Sequence, residues 1–215
     1  MKRILSLALA LCLLGLSLPP AASAAASLRF EDVFKKSWYA GSVYALAQRG
    51  IVSGTTAATY SPRHALTRGA FLQLLAAATL SDRELEYYKQ LDSDFPDVPA
   101  GKWYAAGANW GAEKGIVFGS GGRFNHGHSV TRAQAAAFLV RYAENIQHRD
   151  LPAPNGSEEL FTDADQIPSW AWEDVYTCRK AGLFSGLPDG SFRPSEELTR
   201  AQAASVLSGC WTSRP

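Results

Sequence analysis

The sequence has almost no cysteine to build with. It holds three in 215 residues, and Cys12 lies inside an apolar run near the start. Cys178 and Cys210 are too few for a disulfide scaffold. They could pair, but the sequence does not fix whether their Cβ atoms approach closely enough. Charge of one sign is also lacking: Lys and Arg total 21, Asp and Glu 20, for a formal net charge of +1. Nucleic-acid binders usually carry a strong basic excess, so that class is set aside. Past the first stretch no apolar run is long enough to cross a bilayer, and no transmembrane segment is expected. Catalytic signatures are missing as well, with no Gly-x-Ser-x-Gly, His-Glu-x-x-His or Cys-His pairing. His126 and His128 have no third ligand at a sensible spacing, so a solvated turn is the better reading. Asp163-Ala-Asp165 lacks the glycine and distal glutamate of a calcium loop. No catalytic residue, metal or cofactor is expected, although a carboxylate pair for glycan cleavage would depend on the fold.

The start of the chain reads as a secretory leader. Lys2 and Arg3 precede "ILSLALALCLLGLSL", and Ala22-Ser23-Ala24 offers small residues for cleavage after Ala24. Leu11 before Cys12 is not the small residue of a lipoprotein signal, so residues 1–24 are expected to be a signal peptide without a lipid anchor. Removing Lys2 and Arg3 with them leaves 19 basic residues against 20 acidic.

What the chain has in abundance is repetition, and repeats decide architecture before any motif does. A Gly follows 12 residues after each of Trp38, Trp103 and Trp170, at Gly50, Gly115 and Gly182. A second Gly comes at Gly54, Gly119 and Gly186, then an aromatic at Tyr60, Phe124 and Phe192. Thr-Arg pairs follow at Thr67-Arg68, Thr131-Arg132 and Thr199-Arg200, and Phe-x-Asp precedes each Trp, ending at Asp32, Asp97 and Asp163. The Trp-to-Trp spacings are 65 and 67 residues, which chance does not produce.

Each unit reads as helix, long loop, helix. Trp38, Val43, Leu46, Ala47 and Ile51 recur near helical spacing, and the Gly that follows suits a left-handed helix stop. In the third unit Pro188-Asp189-Gly190 signals a turn. Thr is a good N-cap, and Gln134 and Gln202 stand three residues on to complete a capping box, which Ala70 cannot do. Units this small bury too little apolar surface alone, so the three are expected to pack together.

Phe-x-Asp, Trp, Gly-Ile-x-x-Gly, Asp-Gly-x-Phe-x-Pro and Thr-Arg-Ala, in this order, resemble the S-layer homology domain. The third unit matches best and departs mainly in Gln202 for the usual Glu; "GSGGRFNHG" and "GTTAATYSP" replace the Asp-Gly-x-Phe-x-Pro loop in the second and first. The resemblance covers residues 28–80, 93–146 and 159–212. It implies an all-α fold of three helix-loop-helix repeats in a pseudo-threefold bundle, with ligand grooves between neighbouring repeats. It also implies non-covalent binding to cell-wall polysaccharide or a peptidoglycan-linked polymer, often one with pyruvylated sugars, by a secreted protein at the cell surface.

An Arg in the first helical turn faces the positive end of the helix dipole, an unfavourable placement. Its threefold recurrence at Arg68, Arg132 and Arg200 admits two readings. Each arginine grips a carboxylate of the ligand beside free helix-start N–H groups, or each pairs with the Asp of a Phe-x-Asp. Trp38, Trp103 and Trp170 could stack on sugar rings, but aromatics opening an amphipathic helix are more often core. Trp110 and Trp172, extra to the pattern, are the better candidates for surface or inter-repeat contacts. Asp32, Asp97 and Asp163 are expected first to brace the following turn. With the third loop, the candidate glycan-binding set is Arg68, Arg132, Arg200, Trp38, Trp103, Trp170, Asp189 and Ser191.

Between the units lie "TLSDRELEYYKQLDSD", which is expected to extend the first unit's helix, and "ENIQHRDLPAPNGSEEL", which reads as an exposed loop. The three repeats use nearly the whole chain and leave no room for a separate catalytic domain. The leading expectation is a small wall-binding protein that also meets other surface-layer proteins. A protein-interaction module that no longer binds glycan is the alternative, and a wall hydrolase ranks behind both.

Overall fold

A computed structural model describes residues 29–212; the expected leader over residues 1–24 lies outside the described residues. The described chain is mainly helical. Its helices are α1 (Ala40–Gln48), α2 (Arg68–Thr79), α3 (Asp82–Gln90), α4 (Ala105–Glu113), α5 (Arg132–Asn145), α6 (Trp172–Lys180) and α7 (Arg200–Thr212). The pairs α1–α2, α4–α5 and α6–α7 are the three helix-loop-helix units.

The first helix of each unit stops in the same way. Gly50, Gly115 and Gly182 adopt φ of +71°, +65° and +66°. The next residue's N–H reaches back to the third-last helical carbonyl: Ile51 to Leu46, Ile116 to Gly111, Leu183 to Cys178. This closes the helix end with paired carbonyls and buries Ile51, Ile116 and Leu183. The second helix starts on its threonine. Thr131 and Thr199 form full capping boxes with Gln134 and Gln202, while Thr67 accepts only from the Ala70 N–H.

Three second helices meet around a closed backbone ring. Leu66 N–H donates to Leu198 (2.8 Å), Leu198 to Val130 (2.9 Å) and Val130 back to Leu66 (2.9 Å). These three side chains are buried at the centre. Outside the ring, α2 packs on α4, α5 on α6 and α7 on α1, so each repeat's second helix lies against the next repeat's first. The last contact joins the third repeat to the first, which closes the pseudo-threefold bundle. Each repeat packs against both of its neighbours, which supply the burial that one unit could not.

Two connector expectations meet different outcomes. Residues 82–90 do not extend α2, because Leu80 and Ser81 are extended and Ser81 and Glu84 form a capping box that starts α3 afresh. The new helix packs on α4, where Asn109 donates to the Tyr88 carbonyl. The second connector carries no helix beyond the end of α5 at Asn145. It is tied to α6 by Lys180 with Glu158 and Arg179 with Glu159.

Candidate functional site

The turns that carry the loop aromatics are built by the aspartates. Asp32 accepts from Tyr60 and Ser61 N–H, Asp97 from Phe124 and Asn125, Asp163 from Phe192 and Arg193, all at 2.7–2.8 Å. The second residue of each pair has positive φ (Ser61 59°, Asn125 59°, Arg193 55°), so two successive N–H groups converge on one carboxylate. Burial alone would raise the Asp97 carboxyl, but its backbone donors together outweigh that and hold it below the ordinary range. The phenylalanine two residues earlier covers the second glycine. A Cβ on Gly186 would lie 2.6 Å from a Phe161 ring carbon, and one on Gly119 2.7 Å from Phe95.

None of the three arginines forms an ion pair with the aspartate of a Phe-x-Asp among the described residues. Each reaches across to the next repeat's loop. Arg68 Nε donates to the Phe124 carbonyl (3.0 Å), Arg132 to Phe192 (2.6 Å), and Arg200 to Tyr60 (2.8 Å). Nη2 of Arg132 and of Arg200 donates further to Ser185 and Ser53 carbonyls. The same guanidinium groups lie over aromatic rings: Arg132 over Phe184 and Phe192, Arg200 over Tyr60, and Arg68 over Phe124 and over Phe138 of α5. Nor are the helix-start amides free. Arg68 and Gly69 donate to His128 and His126 carbonyls, Arg132 and Ala133 to Glu196 and Pro194, Arg200 and Ala201 to His64 and Pro62. Arg68 and Arg132 are buried and Arg200 half-buried; burial lowers Arg132 to about 10.

The tryptophans reverse the core expectation. Trp38, Trp103 and Trp170 are 67%, 57% and 55% exposed, whereas Trp110 is buried against Tyr142 and Trp172 half-buried against Tyr176. The residue after each exposed Trp takes the inward position instead: Tyr104 and Ala171 are buried and Tyr39 half-buried. Asp189 and Ser191 are engaged inside their own turn. The Ser191 hydroxyl and N–H both donate to Asp189, holding its carboxyl well below the usual range, and Arg193 pairs with it at 2.7 Å. His126 packs as a ring, stacked on Tyr104 at 3.7 Å, so the turn is not simply solvated. Among the described residues no cluster of three or more His, Cys, Asp or Glu could hold a metal. Cys178 and Cys210 are free, buried thiols, pushed up by burial, Cys210 to about 12.

Three repeats come together at one open groove of about 390 Å³. The third repeat supplies the loop Gly182–Leu187 and, from α7, Gln202, Ser205, Val206 and Gly209. The second supplies Arg132, and the first supplies Trp38. Its walls thus offer an exposed indole face, the apolar side chains of Leu183, Phe184, Leu187 and Val206, and a few polar groups. In the second repeat the positions of Ser185 and Gly209 hold Phe118 and Arg141, whose guanidinium lies 5.0 Å over the Phe118 ring. In the first repeat the position of Ser205 is Gln73, which accepts from Gly107 N–H. Sequence reading picked Trp38 and Arg132 but missed Gln202, Ser205 and Gly209. The smallness of Ser205 against Gln73 and of Gly209 against Arg141 was the available signal, whereas Gln202 matches Gln134 and gave none.

A family model described as S-layer homology domain matches residues 29–72, 94–136 and 160–204. The chain is similar to an amylopullulanase of Thermoanaerobacterium thermosulfurigenes, 30% identical over 84% of this chain and 9% of that protein. It is also similar to an endoglucanase of Bacillus sp. (strain KSM-635), 30% identical over 96% of this chain and 22% of that one. The S-layer protein EA1 of Bacillus anthracis is 32% identical over 53% of this chain and 12% of its own. Against these relatives the chain spans between 9% and 22% of their length.

Proposed function

The chain belongs to the S-layer homology family, and from that premise we propose that it attaches to cell-wall polysaccharide through the groove beside Trp38. Domains of this family bind cell-wall polymers and are anchors without catalysis of their own. The enzymatic names belong to much longer proteins of which this chain matches a small part.

The observation that carries the proposal is the exposure of Trp38 on the wall of a groove that also presents Ser185, Gln202 and Ser205 among apolar side chains. An indole left in water forgoes a burial of about 1.5–3 kcal/mol, so a face held outward beside a groove is positioned for a partner. A pyranose ring stacks its C–H face there while Gln202 and Ser205 meet its hydroxyls. A pyruvylated sugar is the finer form of the ligand, its carboxylate turned toward the Arg132 side of the groove. The protein acts outside the cytoplasm after loss of residues 1–24, alongside other surface-layer proteins.

The experiment is a pull-down with wall sacculi before and after extraction of their polysaccharide. Retention on intact sacculi and loss on extracted ones supports the reading. Equal retention on both assigns the protein to a surface protein or bare peptidoglycan and overturns it.

A further inference from the structure

The connector between the second and third repeats carries a turn that takes no part in the Trp38 groove. Asn155, Gly156 and Ser157 are all exposed there. The N–H groups of Asn155 and Gly156 both donate to the Glu158 carboxylate, each at 2.8 Å. Lys180 of α6 pairs with the same carboxylate at 3.1 Å and donates to the Ala153 carbonyl, so the turn is one of the connector's ties to α6. Asn155 folds its side chain over the turn: its Oδ1 accepts from the Ser157 N–H at 3.2 Å and from the Ser157 hydroxyl at 2.7 Å.

That arrangement favours an attack within the chain. An Asn side chain that accepts from the N–H two residues on swings its amide carbon toward the nitrogen in between, here that of Gly156. Both Ser157 donors draw electrons from that carbon and stand ready to hold its oxygen as negative charge develops there. Gly156 has no side chain to keep the two groups apart; its φ is +82°, and the space where a Cβ would stand is open. Among the described residues the Asn155 Nδ2, the leaving nitrogen, has no hydrogen-bond partner. The other asparagines differ on both counts. Asn109, Asn125 and Asn145 precede Trp110, His126 and Ile146, and each donates its Nδ2 to a backbone carbonyl.

We propose that Asn155 is a self-modifying site, at which the connector passes with time from an amide to an acid. The Gly156 nitrogen, its proton lost to hydroxide, bonds to Asn155 Cγ. The Cγ–Nδ2 bond breaks, and ammonia leaves with a proton taken from water. The cyclic imide that results adds water at either carbonyl. Opening at Cγ gives aspartate; opening at the backbone carbonyl gives isoaspartate, with the main chain rerouted through Cγ. The Asn155 N–H above all, with Lys180, holds the Glu158 carboxyl down at about 2, so it is too weak a base for the first proton and hydroxide must take it. Either product puts a new carboxylate beside Glu158, and isoaspartate adds a methylene between the two N–H groups that Glu158 holds. The tie to α6 loosens with the conversion.

The test incubates the purified chain, folded and in urea, at neutral and at mildly alkaline pH, beside Asn155→Gln and Gly156→Ala. The tryptic peptide Asp150–Arg179 is followed by its mass and by methyl transfer from an isoaspartyl methyltransferase. In the folded wild type this peptide should gain the mass of an amide-to-acid conversion before those holding Asn109, Asn125 and Asn145. The gain should be faster at the higher pH, and the product should accept methyl groups. Asn155→Gln, whose longer side chain closes a larger ring, should lose most of the signal, as should Gly156→Ala, whose methyl crowds the attack. Ageing should speed protease cleavage in the connector while the thermal melt stays nearly unchanged, because the connector lies outside the packed helices. A folded wild type that keeps its amide while the urea-unfolded chain loses it overturns the self-modification. Acid gain without methyl acceptance overturns the imide route. Aged protein cleaved no faster than fresh overturns the loosening.

Discussion

Arg132 on the second repeat's α5 donates from Nε to the carbonyl of Phe192 in the third repeat's loop, at 2.6 Å, with its guanidinium 4.9 Å from that residue's ring. The contact does for the loop what Asp163 does from the other side, where the carboxylate takes the Phe192 N–H. One residue's two backbone groups are thus fixed by two different repeats.

Arg132→Ala should therefore destabilise the fold. It leaves the Phe192 carbonyl without its buried donor and removes two ring contacts, a loss of about 3 kcal/mol. For a chain of this size that is roughly 6–12 °C in melting temperature. Arg200→Ala should cost less, because Arg200 is half-buried. A wild-type melt for Arg132→Ala would show that the brace carries no stability.

Asp97 gives a test in pH. Its donors hold its carboxyl below the ordinary aspartate value of 3.8, so the folded state releases this proton more readily than the unfolded chain does. The stability it contributes is present above that ordinary value and fades as pH falls through the lower folded one. Asp97→Asn should lower the melting temperature near neutrality and show a shallower acid decline below about pH 4. Parallel melting-versus-pH curves for the two proteins would contradict the assignment.

Gly186 tests the close approach beneath the third loop. A methyl there meets the Phe161 ring at 2.6 Å, so Gly186→Ala should cost about 1–3 kcal/mol through overpacking. Gly209→Ala is the control: a Cβ there meets nothing within 4 Å, and the melt should hold or rise slightly. Equal thermal melts for the two variants would refute the packing account.

Much of this frame was legible in the sequence because it is local. The helix-stopping Gly115 and Gly182, the caps at Thr131 and Thr199, and the turn-bracing role of Asp163 all follow from spacing within one repeat. What crosses between repeats was not legible. Nothing in the order of residues says that Arg132 reaches Phe192 rather than an aspartate, because that depends on which neighbour the bundle places beside it. Trp38 was misjudged on area alone: its indole could bury more than Tyr39, yet the chain turns Tyr39 inward at the helix start and leaves Trp38 outside. The reverse holds for Trp110, which lies in the middle of α4 on the face that meets Tyr142.

The central claim is that the Trp38 groove is the wall-binding site, and the most direct measurement is the affinity of Trp38→Ala for polysaccharide extracted from sacculi, with its thermal melt taken alongside. The exposed side chain adds little to the core, so the melt should match wild type while binding weakens about tenfold or more, the loss of one aromatic stacking face and the contacts it orients. A Trp38→Ala protein that melts as wild type and binds as wild type would contradict the account.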